Sequence, residues 1–398
     1  LNTPGTWVTK NNALGVSTMR VSSKGEVFLA GTQYFDDPEK EAPRPFLDAI
    51  SITDGKKRRV WQSSADMYET ISAYVDEGVD QLMVSRQSPT SPPNSYLVST
   101  AGGTAKAMTD NQDFAPAVTN AIRHRIQITR ADGFKFWAEI TLPEGHIKGN
   151  KLPALFWFYP REYVDQAAYD RQFRTRNKNT FQATSVSSKD LLVMYGYAVV
   201  EPDCPIVGPE GRMNDSYVKD LKQNLYATIN KLTQEGYIDR DKLAIGGHSY
   251  GAFSAANAMV HTPFFKAGIA GDGAYNRMLT PMAFQSEQRL LWEARETYLA
   301  MSPLLYAENM SGAFLMYHGA DDQNVGTHPI NSERMFHALL GLGKPVSMYM
   351  YPYEDHGPAA KETHMDLWSR WVAWLDKYVK GVDTNATKDT KATGASGG

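Results

Sequence analysis

The chain has 398 residues, 42% of them hydrophobic and 21% charged, with a formal net charge of -3. So weak a field gathers neither nucleic acid nor anionic lipid. The single cysteine, Cys204, excludes an intrachain disulfide, and no apolar run reaches the roughly 18 residues that a membrane-spanning helix needs. The length exceeds what one hydrophobic core usually supports, so two domains are expected. The first residue is Leu1 rather than Met, which leads to the expectation that further sequence precedes it.

Residues 1–118 consist of short alternating runs broken by Gly, Pro, Asn and Asp, and the runs 26–32, 47–52, 81–84 and 96–99 predict antiparallel strands. The run 46–52 leads into the turn Thr53-Asp54-Gly55, and the run 96–100 leads into Ala101-Gly102-Gly103. This strand-turn-strand unit returns after roughly 50 residues, the period of a β-propeller blade. A propeller closes with at least about four blades. Residues 1–118 are therefore expected to be its last blades, with the others upstream, and a small β-sandwich is the alternative.

Between 119 and 381 apolar runs alternate with helical segments, the pattern of βαβ units and a mostly parallel α/β sheet with helices on both faces. Strands are expected at 154–159, 197–201, 242–246, 314–318 and 347–351, and helices at 216–235, 331–342 and 361–380. Trp368, Trp371, Trp374 and Leu375 fall on one stripe of the last helix and read as core. Residues 382–398 carry too little apolar surface to offset the entropy of ordering and are expected to be disordered.

Gly247-His248-Ser249-Tyr250-Gly251 is a G-x-S-x-G sequence between a short buried-type strand and a run of small, helix-forming residues. That context predicts a tight strand-to-helix elbow presenting the Ser249 hydroxyl, with the Tyr250 amide at the helix start facing a developing oxyanion. The glycines are needed because a side chain on either flank would strike the neighbouring helix or strand. A serine hydroxyl is a weak nucleophile and needs a histidine base held by a carboxylate, and in an α/β-hydrolase these follow in the order Ser, Asp or Glu, His, each past a strand end. Asp321 and Asp322 follow the strand ending at His318, and His356 follows the last strand. His318, at a strand end, and His364, on a helix, read as structural. The loop after the early strand offers Tyr159, whose phenol is the candidate second oxyanion donor.

These residues resemble the prolyl oligopeptidase family of serine peptidases, and its glutamyl endopeptidase branch most closely. The resemblance covers about residues 122–381 and is carried by Leu155-Phe156-Trp157-Phe158-Tyr159-Pro160, Pro205-Ile206-Val207-Gly208, Asn214-Asp215-Ser216-Tyr217-Val218, the segment 246–253, Gly273-Ala274-Tyr275-Asn276-Arg277, Leu279-Thr280-Pro281, His318-Gly319 and His356-Gly357. It implies an α/β-hydrolase domain preceded by a propeller, a triad of Ser249, Asp322 and His356, and an oxyanion hole of Tyr159 and the Tyr250 amide. Asp322 is preferred over Asp321 because the family's acid stands four residues after the histidine of its His-Gly pair. Gln323 and Val325 depart from the Asn and Ser usual in that branch. Peptides are the implied substrates, no metal or organic cofactor is called for, and the missing propeller segment is the expected partner. Export to the periplasm or outside the cell would match related bacterial proteins.

A glutamate side chain entering a pocket must exchange its hydration for a charge-matched donor, ideally a bidentate arginine. Arg277 is the first candidate for such a P1 pocket, since the corresponding stretch supplies pocket walls in related dipeptidyl peptidases. Arg171, Arg174 and Arg176 are reserves. The expected activity is endopeptidase cleavage after Glu, and after the shorter Asp. A dipeptidyl or acylaminoacyl peptidase of the same family, a carboxylesterase and an inactive binding module are the alternatives.

Overall fold

A computed structural model describes residues 5–185 and 188–382, so the expected disorder of the tail falls almost entirely outside the described residues. The chain separates into two compact units, Leu1–Asn120 with Asp170–Ala183, and Ala121–Tyr169 with Thr184–Gly398. Among the described residues no helix is long and apolar enough to cross a membrane.

The first unit holds two four-stranded antiparallel sheets. One is formed by β1 (Thr6–Trp7), β2 (Glu26–Gln33), β3 (Arg44–Ser51) and β4 (Lys57–Gln62). The other is formed by β5 (Tyr68–Tyr74), β6 (Gln81–Ser88), β7 (Ser91–Ser99) and β8 (Lys106–Ala107). In both, successive strands are neighbours, and Phe28, Leu47, Ala49, Leu82 and Val84 bury the alternate side chains of β2, β3 and β6 in one small core. Gly55 at φ 69° and Gly102 at φ 92° supply the left-handed positions of the turns expected there.

The sequence reading placed 119–381 in one hydrolase domain, but Asp170–Ala183 clusters with the first unit. Its polar side chains satisfy backbone groups of that unit. Asn177 donates to the Pro43 carbonyl at 2.8 Å, Lys178 to those of Glu39 and Lys40, and Asn179 to that of Ala65 at 2.9 Å. Arg176, a reserve for the carboxylate pocket, is 2.7 Å from Glu39. Local sequence pattern carries no mark of such long-range contacts.

The second unit is an eight-stranded sheet in the order β9 (Ile122–Thr129), β10 (Lys135–Leu142), β12 (Ala198–Pro202), β11 (Leu152–Trp157), β13 (Ile238–His248), β14 (Ala267–Gly271), β15 (Ala313–Gly319), β16 (Val346–Tyr351). The first two strands pair antiparallel, as does β10 with β12, and the remaining pairs are parallel. Strands β14 and β15 are buried at every residue, as a parallel strand covered on both faces must be. Alternation sorts the side chains: Phe156, Val200 and Ile245 join the core cluster of helices α1 (Tyr217–Gln234), α2 (Tyr250–His261) and α3 (Ile330–Gly341), whereas Leu155, Val199 and Ala244 join that of α4 (Lys361–Leu375). Trp371 and Leu375 lie in this second cluster, and Trp368 and Trp374 pack against it.

Candidate active site

Ser249 stands between β13 and α2 with φ 56° and ψ −118°, outside the regions an L-residue ordinarily adopts. The turn closes because nothing projects from its flanking glycines. A Cβ on Gly247 would lie 2.4 Å from the Gly251 carbonyl carbon, and one on Gly251 would lie 2.4 Å from the Phe158 carbonyl oxygen. Neither backbone atom can yield, so Gly251→Ala is expected to cost about 3 kcal/mol of stability, read as a fall in urea midpoint. As the first residue of α2, Tyr250 has an amide without an intrahelical acceptor.

Sheet order brings the other two residues to the same edge. Strands β13, β14, β15 and β16 are consecutive neighbours, so the loops after β15 and β16 emerge near the elbow. Those two loops are bound together: Asp321 N donates to Glu354 O at 3.0 Å, and Gln323 N to the Asp355 carboxylate at 2.9 Å. Gly319 lies so close that a Cβ there would be 2.0 Å from the Asp355 carbonyl oxygen. The buried Glu354 accepts from the amides of Ala359 and Ala360 at 2.7 and 3.0 Å, which ties the far side of the His356 loop to the start of α4. His356 Nε2 then lies 2.9 Å from Ser249 Oγ, and its Nδ1 lies 2.9 Å from Asp322 Oδ2. Ser249, His356 and Asp322 are thus within hydrogen-bonding reach in series, the arrangement that a nucleophile, its base and an orienting acid require.

Asp322 is 2% exposed and surrounded by donors. Its Oδ2 faces His356 Nδ1, Thr327 Oγ1 at 3.0 Å and His318 Nε2 at 3.0 Å, while Oδ1 accepts from the Asn324 amide at 2.8 Å. Burial alone would raise its carboxyl, but the hydrogen bonds from His356, the Asn324 amide and Thr327 outweigh burial and hold it below the ordinary carboxylate value. Asp272, His318 and Asp322 place one ligand-type atom each within 4.8 Å of one another. Asp272 Oδ1 accepts from the Gly319 amide at 2.8 Å and His318 Nε2 faces Asp322, while the buried Asp272 Oδ2 has no hydrogen-bond partner.

Beside Ser249 opens a pocket of about 330 Å³ whose lining includes Tyr250, Arg277, Phe284 and Thr327. Arg277 is 3% exposed and its guanidinium carbon lies over the rings of Phe253 at 4.0 Å, Phe284 at 4.3 Å and Tyr250 at 5.4 Å. Its Nε has no hydrogen-bond partner, and among the described residues it makes no ion pair with a carboxylate. Burial pulls its guanidinium below the usual arginine value, and arginine stays charged nonetheless. The Arg277 amide donates to Ser302 Oγ at 2.9 Å, which fixes the backbone from which the side chain projects. Tyr159, 44% exposed, has its ring centroid 5.6 Å from that of Tyr250. The Tyr250 hydroxyl donates to Glu162 at 2.9 Å, and burial raises the Glu162 carboxyl above the usual range.

Residues 183–382 match the sequence model of the Prolyl oligopeptidase family. The chain belongs to that family. It is 36% identical over 374 residues to the "Probable glutamyl endopeptidase, chloroplastic" of Oryza sativa subsp. japonica, covering 89% of this chain and 40% of that protein. It is 26% identical to "Dipeptidyl-peptidase 5" of Porphyromonas gingivalis, over 90% of this chain and 51% of that one. The chain thus spans only two-fifths to one-half of the length of these curated relatives. Porphyromonas gingivalis dipeptidyl peptidase 4 shares the fold with a TM-score of 0.67 at 18% identity, over 94% of this chain and 50% of that one. An acylaminoacyl peptidase does so with a TM-score of 0.59 at 19% identity, over 90% and 55%.

For a chain of the prolyl oligopeptidase family, sequence reasoning assembled the Ser249, Asp322 and His356 series and named Arg277, yet it missed three things. His318 is not an isolated strand-end histidine, because it meets the candidate acid directly. Thr327 and Ser332 join the same network, and Phe253 and Phe284 form the walls around Arg277. The i,i+4 spacing of His318 and Asp322 was visible, but spacing beyond a strand end does not say whether two side chains turn toward each other.

Proposed function

We propose that this chain is the catalytic part of a serine endopeptidase that cleaves peptides after glutamate, and after aspartate less readily. Ser249 Oγ attacks the scissile carbonyl carbon as its proton passes to His356 Nε2, and Asp322 holds the His356 Nδ1–H and stabilises the imidazolium that forms. The oxyanion is met by the Tyr250 amide and the Tyr159 phenol. Collapse of the tetrahedral intermediate gives the proton from His356 to the leaving amine and leaves an acyl-serine. Water, deprotonated by the same histidine, then releases the acid product. The 2.9 Å separations at both imidazole nitrogens support this sequence.

The observation that carries the specificity is the buried, unpaired Arg277 in the pocket beside Ser249. A desolvated cation without an ion-pair partner in contact is costly, and a substrate carboxylate is a partner that would lower the cost. The rings of Phe253, Phe284 and Tyr250 pack around the guanidinium, and Glu162 acts on it electrostatically without forming an ion pair among the described residues. Arg277→Gln is expected to lower kcat/KM for an N-terminally blocked Glu peptide by about ten- to a hundredfold, with little change for the Gln analogue. An equal loss on both peptides would overturn the assignment of Arg277 to the P1 side chain. Hydrolysis of unblocked peptides alone would favour the dipeptidyl activity named for the Porphyromonas relative.

The two antiparallel sheets of the first unit have the strand count and order of propeller blades. We propose that further blades, supplied by sequence beyond this chain, complete a propeller with them.

A further inference from the structure

We propose that His318 is a positioning residue for the acid of the triad, holding the Asp322 carboxylate in the orientation that His356 needs. The inference rests on the reading of Ser249, Asp322 and His356 as a working triad.

His318 is fully buried at the end of β15, and both ring nitrogens are engaged. Its Nε2 lies 3.0 Å from Asp322 Oδ2 and its Nδ1 lies 2.7 Å from Ser332 Oγ on α3, itself fully buried. An ionised carboxylate can only accept, so Nε2 carries the hydrogen. Burial lowers the affinity of the ring for a second proton and outweighs the opposing influence of Asp272 and Asp322. In the neutral ring Nδ1 is then an acceptor, and the Ser332 hydroxyl donates to it. Ser332 thereby selects the tautomer of His318 as Asp322 selects that of His356.

The consequence is geometric. Asp322 Oδ2 must serve His356 Nδ1, and a carboxylate can turn about its Cβ–Cγ bond. His318 and Thr327 approach the same oxygen, and the Asn324 amide fixes the other. Of these, His318 alone joins Asp322 to another secondary-structure element, through Ser332. Asp272, 3.9 Å from His318 Nε2, stands behind it, anchored by the Gly319 amide and 3.3 Å from His248 Nε2. The acid is therefore tied to the sheet and to α3 as well as to its own loop.

Two measurements on the full chain test this. In histidine-selective ¹⁵N spectra, the resonances lost in His318→Gln should report a neutral Nε2–H ring from pH 6 to 8, and Ser332→Ala should mix the tautomers. A ring that titrates in that range, or carries its proton on Nδ1, overturns the proposal. The second measurement is the second-order rate of fluorophosphonate labelling. His318→Phe is expected to label about tenfold or more slowly. His318→Gln, whose amide NH₂ reaches the place of Nε2, should recover most of that loss. Ser332→Ala should slow labelling in the native background and have no further effect beside His318→Gln, because no tautomer remains to be selected. Equal rates for folded His318→Phe and wild type, or equal losses from Ser332→Ala in both backgrounds, would refute the positioning role. A wild-type chain that fails to label at Ser249 would instead sink the triad reading.

Discussion

Ser249→Ala should abolish covalent labelling by a fluorophosphonate and lower kcat on a cleaved peptide by about four to six orders of magnitude. Among the described residues His356 Nε2 faces one hydroxyl, that of Ser249 at 2.9 Å, and removal of that oxygen leaves only binding and the proposed oxyanion donors to act on the substrate. The fold should persist, since the Ser249 side chain makes no packing contact that alanine lacks apart from this bond. Residual labelling at another serine would show that the nucleophile has been misassigned. A companion variant separates chemistry from strain. Alanine keeps the unfavourable φ of 56°, whereas Ser249→Gly should raise stability by about 1 kcal/mol, net of the larger entropy glycine loses on folding. An unchanged urea midpoint for the glycine variant would mean that the elbow stores no strain.

Asp322→Asn is the second large effect, expected at about 10⁴-fold in kcat with substrate binding little altered. Every group around the Asp322 carboxylate is a donor: His356 Nδ1, His318 Nε2, the Thr327 hydroxyl and the Asn324 amide. A side-chain amide has one acceptor oxygen, so its NH₂ must face donors whichever way it turns. The Asn324 N–H cannot accept, so the NH₂ turns to the Oδ2 side, where His356 can accept at Nδ1; that moves the imidazole proton to Nε2 and leaves Ser249 without a base. Stability carries a second signature with a definite sign. The Asp322 carboxyl is held below its ordinary value in the folded chain, so its contribution is present above the unfolded value of about 4 and fades as pH falls through the folded one. The stability gap between wild type and Asp322→Asn should be widest near pH 7 and narrow below about pH 4. Urea midpoints at pH 7 and pH 3 measure it, and a gap that stays constant would contradict the assigned hydrogen bonding.

The hydrolase half of the chain was legible because parallel βαβ units write themselves locally. Each buried strand is a short apolar run, and each helix is a 3.6-residue stripe. Expected strands such as 314–318 and 347–351 match β15 and β16 to within a residue at either end. The antiparallel pair β9 and β10 drew no such expectation, because β9 at the sheet edge reads Ile-Arg-His-Arg-Ile-Gln-Ile-Thr and buries only Ile128 fully. Gly-x-Ser-x-Gly was readable for a steric reason: the elbow leaves room for no side chain at Gly247 or Gly251. The order Ser, Asp, His was readable because each residue follows a strand of its own.

Sequence by itself therefore pointed to the fold class and to Ser249 and His356 at strand ends, through local period and a tight turn, whereas the family and the choice of Asp322 over Asp321 came from resemblance to known sequences. Tertiary structure alone decided the rest. It assigned Asp170–Ala183 to the first unit through side-chain bonds to carbonyls more than a hundred residues away. It turned Arg277 from an ordinary cation into a buried, ring-caged and unpaired one. It also joined His318 to Asp322 and Ser332. Burial, and the direction in which a side chain turns, are set by which strands become neighbours, and residues 253, 277 and 284 acquire a common environment only after α2 and the segment beyond β14 pack against each other.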